Sequence, residues 1–280
     1  MSRVFISLRL FFVIAFIAAL HSTVQGQSPK PFVLGVTDEI TSTVLNEKRM
    51  LNIYLPPGYN NDTARYPVLY LLDGSADEDF IHVVGIVQFL NMIEAMPKTI
   101  VVGIANVDRK RDFTFPTSID SDKKAYPTTG GSEKFIRFVG TELQPYIERH
   151  YRTSREKTII GESLGGLLAT QILLEKPQLF DNYIIVSPSL WWDHESLLHR
   201  APELLRKQLG TDLKVYIAVG TEGAVMEHDA QELSVIIGKE TRKDLQLHFE
   251  TFPKESHLTI LHQCVYQALQ VINSKPVDKK

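Results

Sequence analysis

The chain has 280 residues, 44% hydrophobic and 22% charged, the balance of an ordinary globular protein, which excludes a disordered or fibrous chain. Its formal net charge of −3 supplies no basic surface for a phosphate backbone, so nucleic acid is not an expected partner. Cys264 is the sole cysteine, so no intramolecular disulfide can form and stability must come from packing.

Arg3 and Arg9 flank the start of the apolar run 10–20, which is too short to span a bilayer comfortably. Val24 and Gly26 precede Gln27 in the small-residue pattern of a signal cleavage site. Residues 1–26 are therefore expected to be a cleaved export signal. Residues 27–280 are expected to be a single domain in the periplasm or outside the cell, without stable membrane insertion. Loss of Arg3 and Arg9 takes the net charge to −5.

Segments 39–45 and 49–55 alternate apolar and polar residues, which predicts an antiparallel hairpin. The continuous apolar run 67–72 predicts a strand covered on both faces, ending in Asp73-Gly74-Ser75 with Asp73 as a turn former. Helical spacing follows over 80–94, then a second buried strand over 99–104. Segment 106–131 is long for a connection within a domain, and such loops are usually functional. It carries Arg109, Lys110, Arg111 and Asp112. A helix opens at 132 with Ser132 as its cap, and Pro145 is expected to kink its last turns.

A β-branched stretch, 157–160, runs into Gly161-Glu162-Ser163-Leu164-Gly165-Gly166 and then a helix over 167–174. Strand 183–186 closes in Ser187-Pro188-Ser189-Leu190-Trp191-Trp192. Helix 197–209, strand 213–219, short helix 231–237, strand 245–252 and helix 258–272 complete the chain, with Cys264 in the apolar pattern of the last helix and read as a buried thiol. Strands alternating with helices imply a mostly parallel central sheet with helices on both faces, preceded by the antiparallel hairpin. Ligands of such sheets sit at the carboxyl ends of the strands.

Gly-x-Ser-x-Gly between a strand and a helix is the pattern of a nucleophile elbow, where a sharp turn lifts the serine hydroxyl to the sheet edge and small neighbours avoid its backbone. A serine hydroxyl needs a base within reach at neutral pH, and histidine has the matching proton affinity. With the order serine, acid, histidine, His257 in the loop after the last strand is the expected base, ahead of His228, His248 and His262. The acid is expected in the loop after strand 213–219, where Glu222, Asp229 and Glu227 compete and Glu222 is nearest the strand end. A dyad without an acid is the remaining alternative. Backbone amides of Leu164 and Ser75 are expected to form the oxyanion hole. Arg111 and Trp191 are candidates for substrate binding. His194 and His199 are five residues apart, a spacing that does not bring two rings to one zinc ion on a helix. No metal or other cofactor is expected, and the expected partner is a small-molecule ester.

Six segments together resemble the esterase family of α/β-hydrolases that takes in esterase D-like, enterobactin, salmochelin and feruloyl esterases and the mycolyltransferases. They are Tyr54-Leu55-Pro56-Pro57-Gly58-Tyr59, Tyr66 to Gly74, Val101-Val102-Gly103-Ile104, Arg109-Lys110-Arg111-Asp112, Gly161 to Gly166 and Ser187 to Trp192. The resemblance covers about residues 35–275. It implies the α/β-hydrolase fold and serine-dependent cleavage of carboxylic esters, with an acyltransferase or a non-catalytic binder on the same scaffold as alternatives. Many members carry histidine before the nucleophile, where this chain has Glu162. The siderophore branch is the nearest in pattern.

Overall fold

A computed structural model describes residues 29–207, 212–240 and 244–274; the expected export signal, 1–26, lies outside them. The chain divides into Met1–Leu34, of which residues 29–34 carry no regular secondary structure, and a compact unit from Gly35 onward.

Among the described residues of that unit, eight strands form one sheet: β1 (Val36–Ser42), β2 (Glu47–Tyr54), β3 (Tyr66–Leu71), β4 (Ile100–Ile104), β5 (Thr153–Glu162), β6 (Asn182–Val186), β7 (Leu213–Gly220) and β8 (Leu245–Phe252). Their order is β1-β2-β4-β3-β5-β6-β7-β8. β1 pairs with β2, and β2 with β4, antiparallel; every later pair is parallel. The hairpin turns three residues earlier than the alternation suggests, because Asn46 takes a left-handed φ of 57°, a conformation asparagine tolerates, and so puts Glu47 at the head of β2.

The helices are α1 (Phe80–Met92), α2 (Arg109–Phe113), α3 (Asp120–Ala125), α4 (Ser132–Phe138), α5 (Gln144–His150), α6 (Leu164–Glu175), α7 (Trp192–Arg206), α8 (Ala224–Gly238) and α9 (Ile260–Asn273). Successive strand residues face opposite sides. Ile159, Ile185 and Ile217 join a core with Leu167, Leu197 and Leu233 of α6, α7 and α8. The alternate residues Ile160, Ile184 and Tyr216 are equally buried and face the other layer, where α9 packs on β6, β7 and α1.

Two local expectations are corrected, at Ser132 and in the 221–230 segment. Ser132 is the first helical residue and not the cap; its Oγ donates to Gln171 Oε1 at 2.7 Å, a buried tie to α6. At Pro145 the helix is irregular: the turn before it, Val139–Leu143, widens to π-helix, which absorbs the ring and the missing N–H. The 221–230 segment is largely helix, since α8 starts at Ala224.

Candidate active site

The edge where the parallel strands end is strained. Asp73 after β3, Ser163 after β5 and Ser187 after β6 take φ of 53°, 59° and 42°, each costing on the order of 1–3 kcal/mol for a residue with a Cβ. The elbow at Ser163 is possible because of its glycines. A Cβ on Gly161 would lie 2.3 Å from the Gly165 carbonyl oxygen, and one on Gly166 would lie 2.9 Å from Pro188 Cα. Gly165, in contrast, has ordinary room. Ser163 donates its amide to Val186 O at 3.1 Å and accepts from Ser189 N at 3.0 Å, so the turn is clamped to the end of β6. Its hydroxyl lies 3.3 Å from Ser189 Oγ.

Glu222 and His257 come together from the loops after β7 and β8. Nδ1 of His257 is 2.6 Å from Oε2 of Glu222. The other oxygen, Oε1, accepts from Ser187 Oγ at 2.5 Å and from the Gly220 amide at 2.8 Å. Burial opposes ionisation of Glu222, but these hydrogen bonds outweigh it and hold its pKa below the usual carboxylate value. The same bond from Glu222 raises the pKa of His257, against burial, with help from the charges of Glu222 and Glu162. The competing acids are placed elsewhere. Glu227 caps the start of α8, accepting from the Glu222 and Gly223 amides at 2.9 and 3.0 Å. Asp229 is buried in α8 beside His228 at 3.3 Å. His248 sits on β8, stacked on Tyr216 and 3.0 Å from Glu250.

Leu164 opens α6, where free amides and the helix dipole favour negative charge. Ser75 does not offer its amide freely: it donates to Glu78 Oε2 at 3.1 Å within its own turn. Arg111 is also spent elsewhere, on Asp112 Oδ1 at 2.8 Å and Glu47 Oε1 at 2.7 Å. The arginine that reaches the elbow is Arg109, which grips Asp73 through Nε and Nη2 at 2.6 and 2.8 Å and donates to the Glu162 carbonyl at 3.3 Å. Trp191 is on the surface, and Trp192 is buried with its indole N–H on Phe115 O at 2.9 Å.

Ser187 and Gly220 are expected at this edge because they follow strands directly, but sequence reasoning gives them no partner, and it gives Ser189 no place at all. The signal for the first two is position at a strand end, the same that singles out His257. Among the described residues no cluster of three or more His, Cys, Asp or Glu could hold a metal ion, and no helix is long and apolar enough to cross a membrane.

Residues 42–265 match the model of the family described as Putative esterase. The ferri-bacillibactin esterase BesA of Bacillus subtilis is 30% identical over 278 residues, covering 88% of this chain and 92% of that one. Two solved structures superpose closely. An IroE-like serine hydrolase from Shewanella oneidensis has a TM-score of 0.79 at 29% identity, covering 85% of this chain and 79% of its own. The BES protein from Bacillus cereus has a TM-score of 0.78 at 26% identity, covering 91% and 100%.

Proposed function

The chain belongs to the Putative esterase family and is a carboxylic ester hydrolase of the α/β-hydrolase fold, and from that premise we propose that it is an exported serine esterase that opens siderophore esters through an acyl-enzyme at Ser163. The observation that carries the mechanism is the 2.6 Å pair between Glu222 and His257, set on the same edge as the strained Ser163.

In this reading His257 takes the Ser163 proton as Oγ attacks the ester carbonyl carbon, and Glu222 holds the imidazolium through Nδ1–H. The carbonyl oxygen becomes an oxyanion, stabilised by the Leu164 amide at the α6 N-terminus and by the positive charge of Arg109 beside the Glu162 carbonyl. The carbon–oxygen bond to the alcohol then breaks, and the leaving alkoxide takes the proton from His257. Water, deprotonated by the same imidazole, releases the acid and restores Ser163. The Ser75 amide enters the oxyanion hole only if Glu78 lets it go.

For the substrate, the Bacillus subtilis relative is a ferri-bacillibactin esterase. The rim of this site suits a substrate with an aryl group. Val107, Trp191, Val225 and Leu258 follow β4, β6, β7 and β8 and are 56%, 42%, 53% and 92% exposed, so they lie past the strand ends that carry the candidate site and would together form an apolar collar for it. Export rests on the apolar run 10–20 and the small residues before Gln27.

The test is Ser163→Ala. Hydrolysis of p-nitrophenyl acetate and of a cyclic catecholate trilactone is expected to fall by at least ~10⁴-fold, with loss of fluorophosphonate labelling. Parent-level cleavage by the variant would remove the mechanism. A parent that cleaves the acetate but not the trilactone would remove the substrate alone.

A further inference from the structure

Glu162 is the residue immediately before the nucleophile, and nothing in the mechanism above uses its side chain. By strand alternation it shares a face with Ile160, the face covered by α1 and α9. Its Oε1 is buried and has no hydrogen-bond partner. A carboxyl taken from water with one oxygen unsatisfied is costly, more so when charged, and the site keeps it next to the reacting serine.

The groups that face it come from every element around it. Asp73 lies in the turn after β3, Asp79 at the head of α1, Glu222 in the loop after β7, His257 in the loop after β8, Arg109 at the start of α2 and Cys264 on α9. The acids disfavour a negative charge on Glu162, whereas His257 and Arg109 favour one; the Cys264 thiol, whose own ionisation burial and Glu162 oppose, is neutral and adds no charge. Burial and then the charge of Asp79 dominate, and they push the Glu162 pKa up to about 7. Asp79 is itself pushed up to about 6 by burial and by Asp73 and Glu78, with His82 opposing.

We propose that Glu162 is a positioning residue for the base: a second carboxyl, beside Glu222, whose charge decides how firmly His257 holds the proton it takes from Ser163. Glu222 is fixed as a carboxylate by three hydrogen bonds and supplies constant support. Glu162 has no such bonds and supplies support only once it has lost its own proton. Deprotonation of Glu162 therefore strengthens the imidazolium that forms during acyl transfer, and the two ionisations belong to the pair. The inference rests on Ser163 and His257 being the catalytic pair.

The experiment is kcat/KM against pH, from 5 to 9, for the parent, Glu162→Gln, Asp79→Asn and the double variant, on p-nitrophenyl acetate. The parent is expected to lose activity through two ionisations as pH falls. Glu162→Gln is expected to lose activity through one, displaced to lower pH, with a plateau about threefold to fivefold lower. Asp79→Asn relieves Glu162, so one ionisation moves to lower pH with the plateau kept, and this effect is expected to vanish in the Glu162→Gln background. If Glu162→Gln does not fold, Asp79→Asn and the NMR titration of the His257 ring in Ser163→Ala carry the test. Profiles of Glu162→Gln and parent that superimpose, or an unchanged Asp79→Asn profile, overturn the proposal. Fluorophosphonate labelling of the parent separates the failures: no label at Ser163 removes the catalytic reading and this inference with it, whereas a labelled parent with superimposable profiles removes the inference alone.

Discussion

The short helix α2 stands between two clusters of charge built on opposite principles. On one side, Arg49 and Asp112 are both 1% exposed, and Arg49, Arg111, Asp112 and Glu47 bind one another with two cations against two acids. Arg49 also lies 5.3 Å from the Phe135 ring centroid. On the other side, Asp73, Glu78, Asp79, Glu162 and Glu222 are five acids set against Arg109, His257 and, at Asp79, His82. The first cluster is matched, cation against acid. The second carries an excess of acid, so some of its members must hold protons near neutrality. Matching produces rigidity, and the deliberate mismatch produces groups that exchange protons in the working range of an esterase.

The sharpest way to break this contrast is at Glu222. Glu222→Gln keeps the shape but leaves His257 without its anion, and kcat is expected to fall by roughly 10²–10⁴-fold while the urea midpoint changes little. A kcat within tenfold of the parent would make Glu222 a packing residue. The matched cluster should respond in reverse. Asp112→Asn leaves Arg49 buried beside an amide, and breaking such a pair typically costs about 3–5 kcal/mol. Urea unfolding should report that loss with kcat per folded enzyme unchanged. Arg111, a third exposed, should matter far less.

Stability against pH separates the clusters again. Glu162 and Asp79 have pKa values raised from 4.5 and 3.8 to about 7 and about 6. The folded state therefore binds more protons than the unfolded chain over that interval, and stability falls as pH rises through it. His257 acts in the same direction: its raised pKa adds stability below its ordinary value of 6.5 that is lost as pH rises through the folded value. Glu222 acts oppositely, with stability lost only as pH falls through its lowered value, below 4.5. The unfolding free energy is expected to drop by roughly 3–4 kcal/mol between pH 5 and pH 8, and Glu162→Gln should flatten most of that slope. A flat parent curve would mean that the excess acid is matched by something unseen.

The parts of this site that follow local rules are legible in the sequence. Gly161 of the Gly-x-Ser-x-Gly pattern declares the elbow because a Cβ there meets backbone, whereas the expected need for glycine at Gly165 is not met by a close contact and falls instead on Gly166; His257 declares itself by following β8. Glu222 is legible only by proximity to its strand, since Glu227 and Asp229 have the same chemistry and lose only because α8 begins early enough to take them. The exchange of Arg111 for Arg109 is not legible. Two arginines two positions apart differ only in which side of a single turn they leave, and that is decided by Glu47 across the sheet and Asp73 at its edge. Pairings of this kind depend on tertiary placement, and no periodicity encodes them.

The smallest expected effect tests whether the unmatched side is also the side that holds substrate. Leu258 follows His257 directly and is 92% exposed, so its side chain contributes nothing to the core and its removal should leave the unfolding midpoint in place. If the apolar collar receives an aryl group, Leu258→Ala should raise KM for an aryl-bearing lactone about twofold to fivefold, the scale of a few methylenes in a shallow contact, and leave KM for p-nitrophenyl acetate unchanged with kcat constant for both. Trp191→Ala should act in the same sense, because its ring is half-exposed on the neighbouring loop. Equal KM changes for the two substrates would mean that these side chains shape the loops rather than touch the ester, and the collar would then be surface, not site.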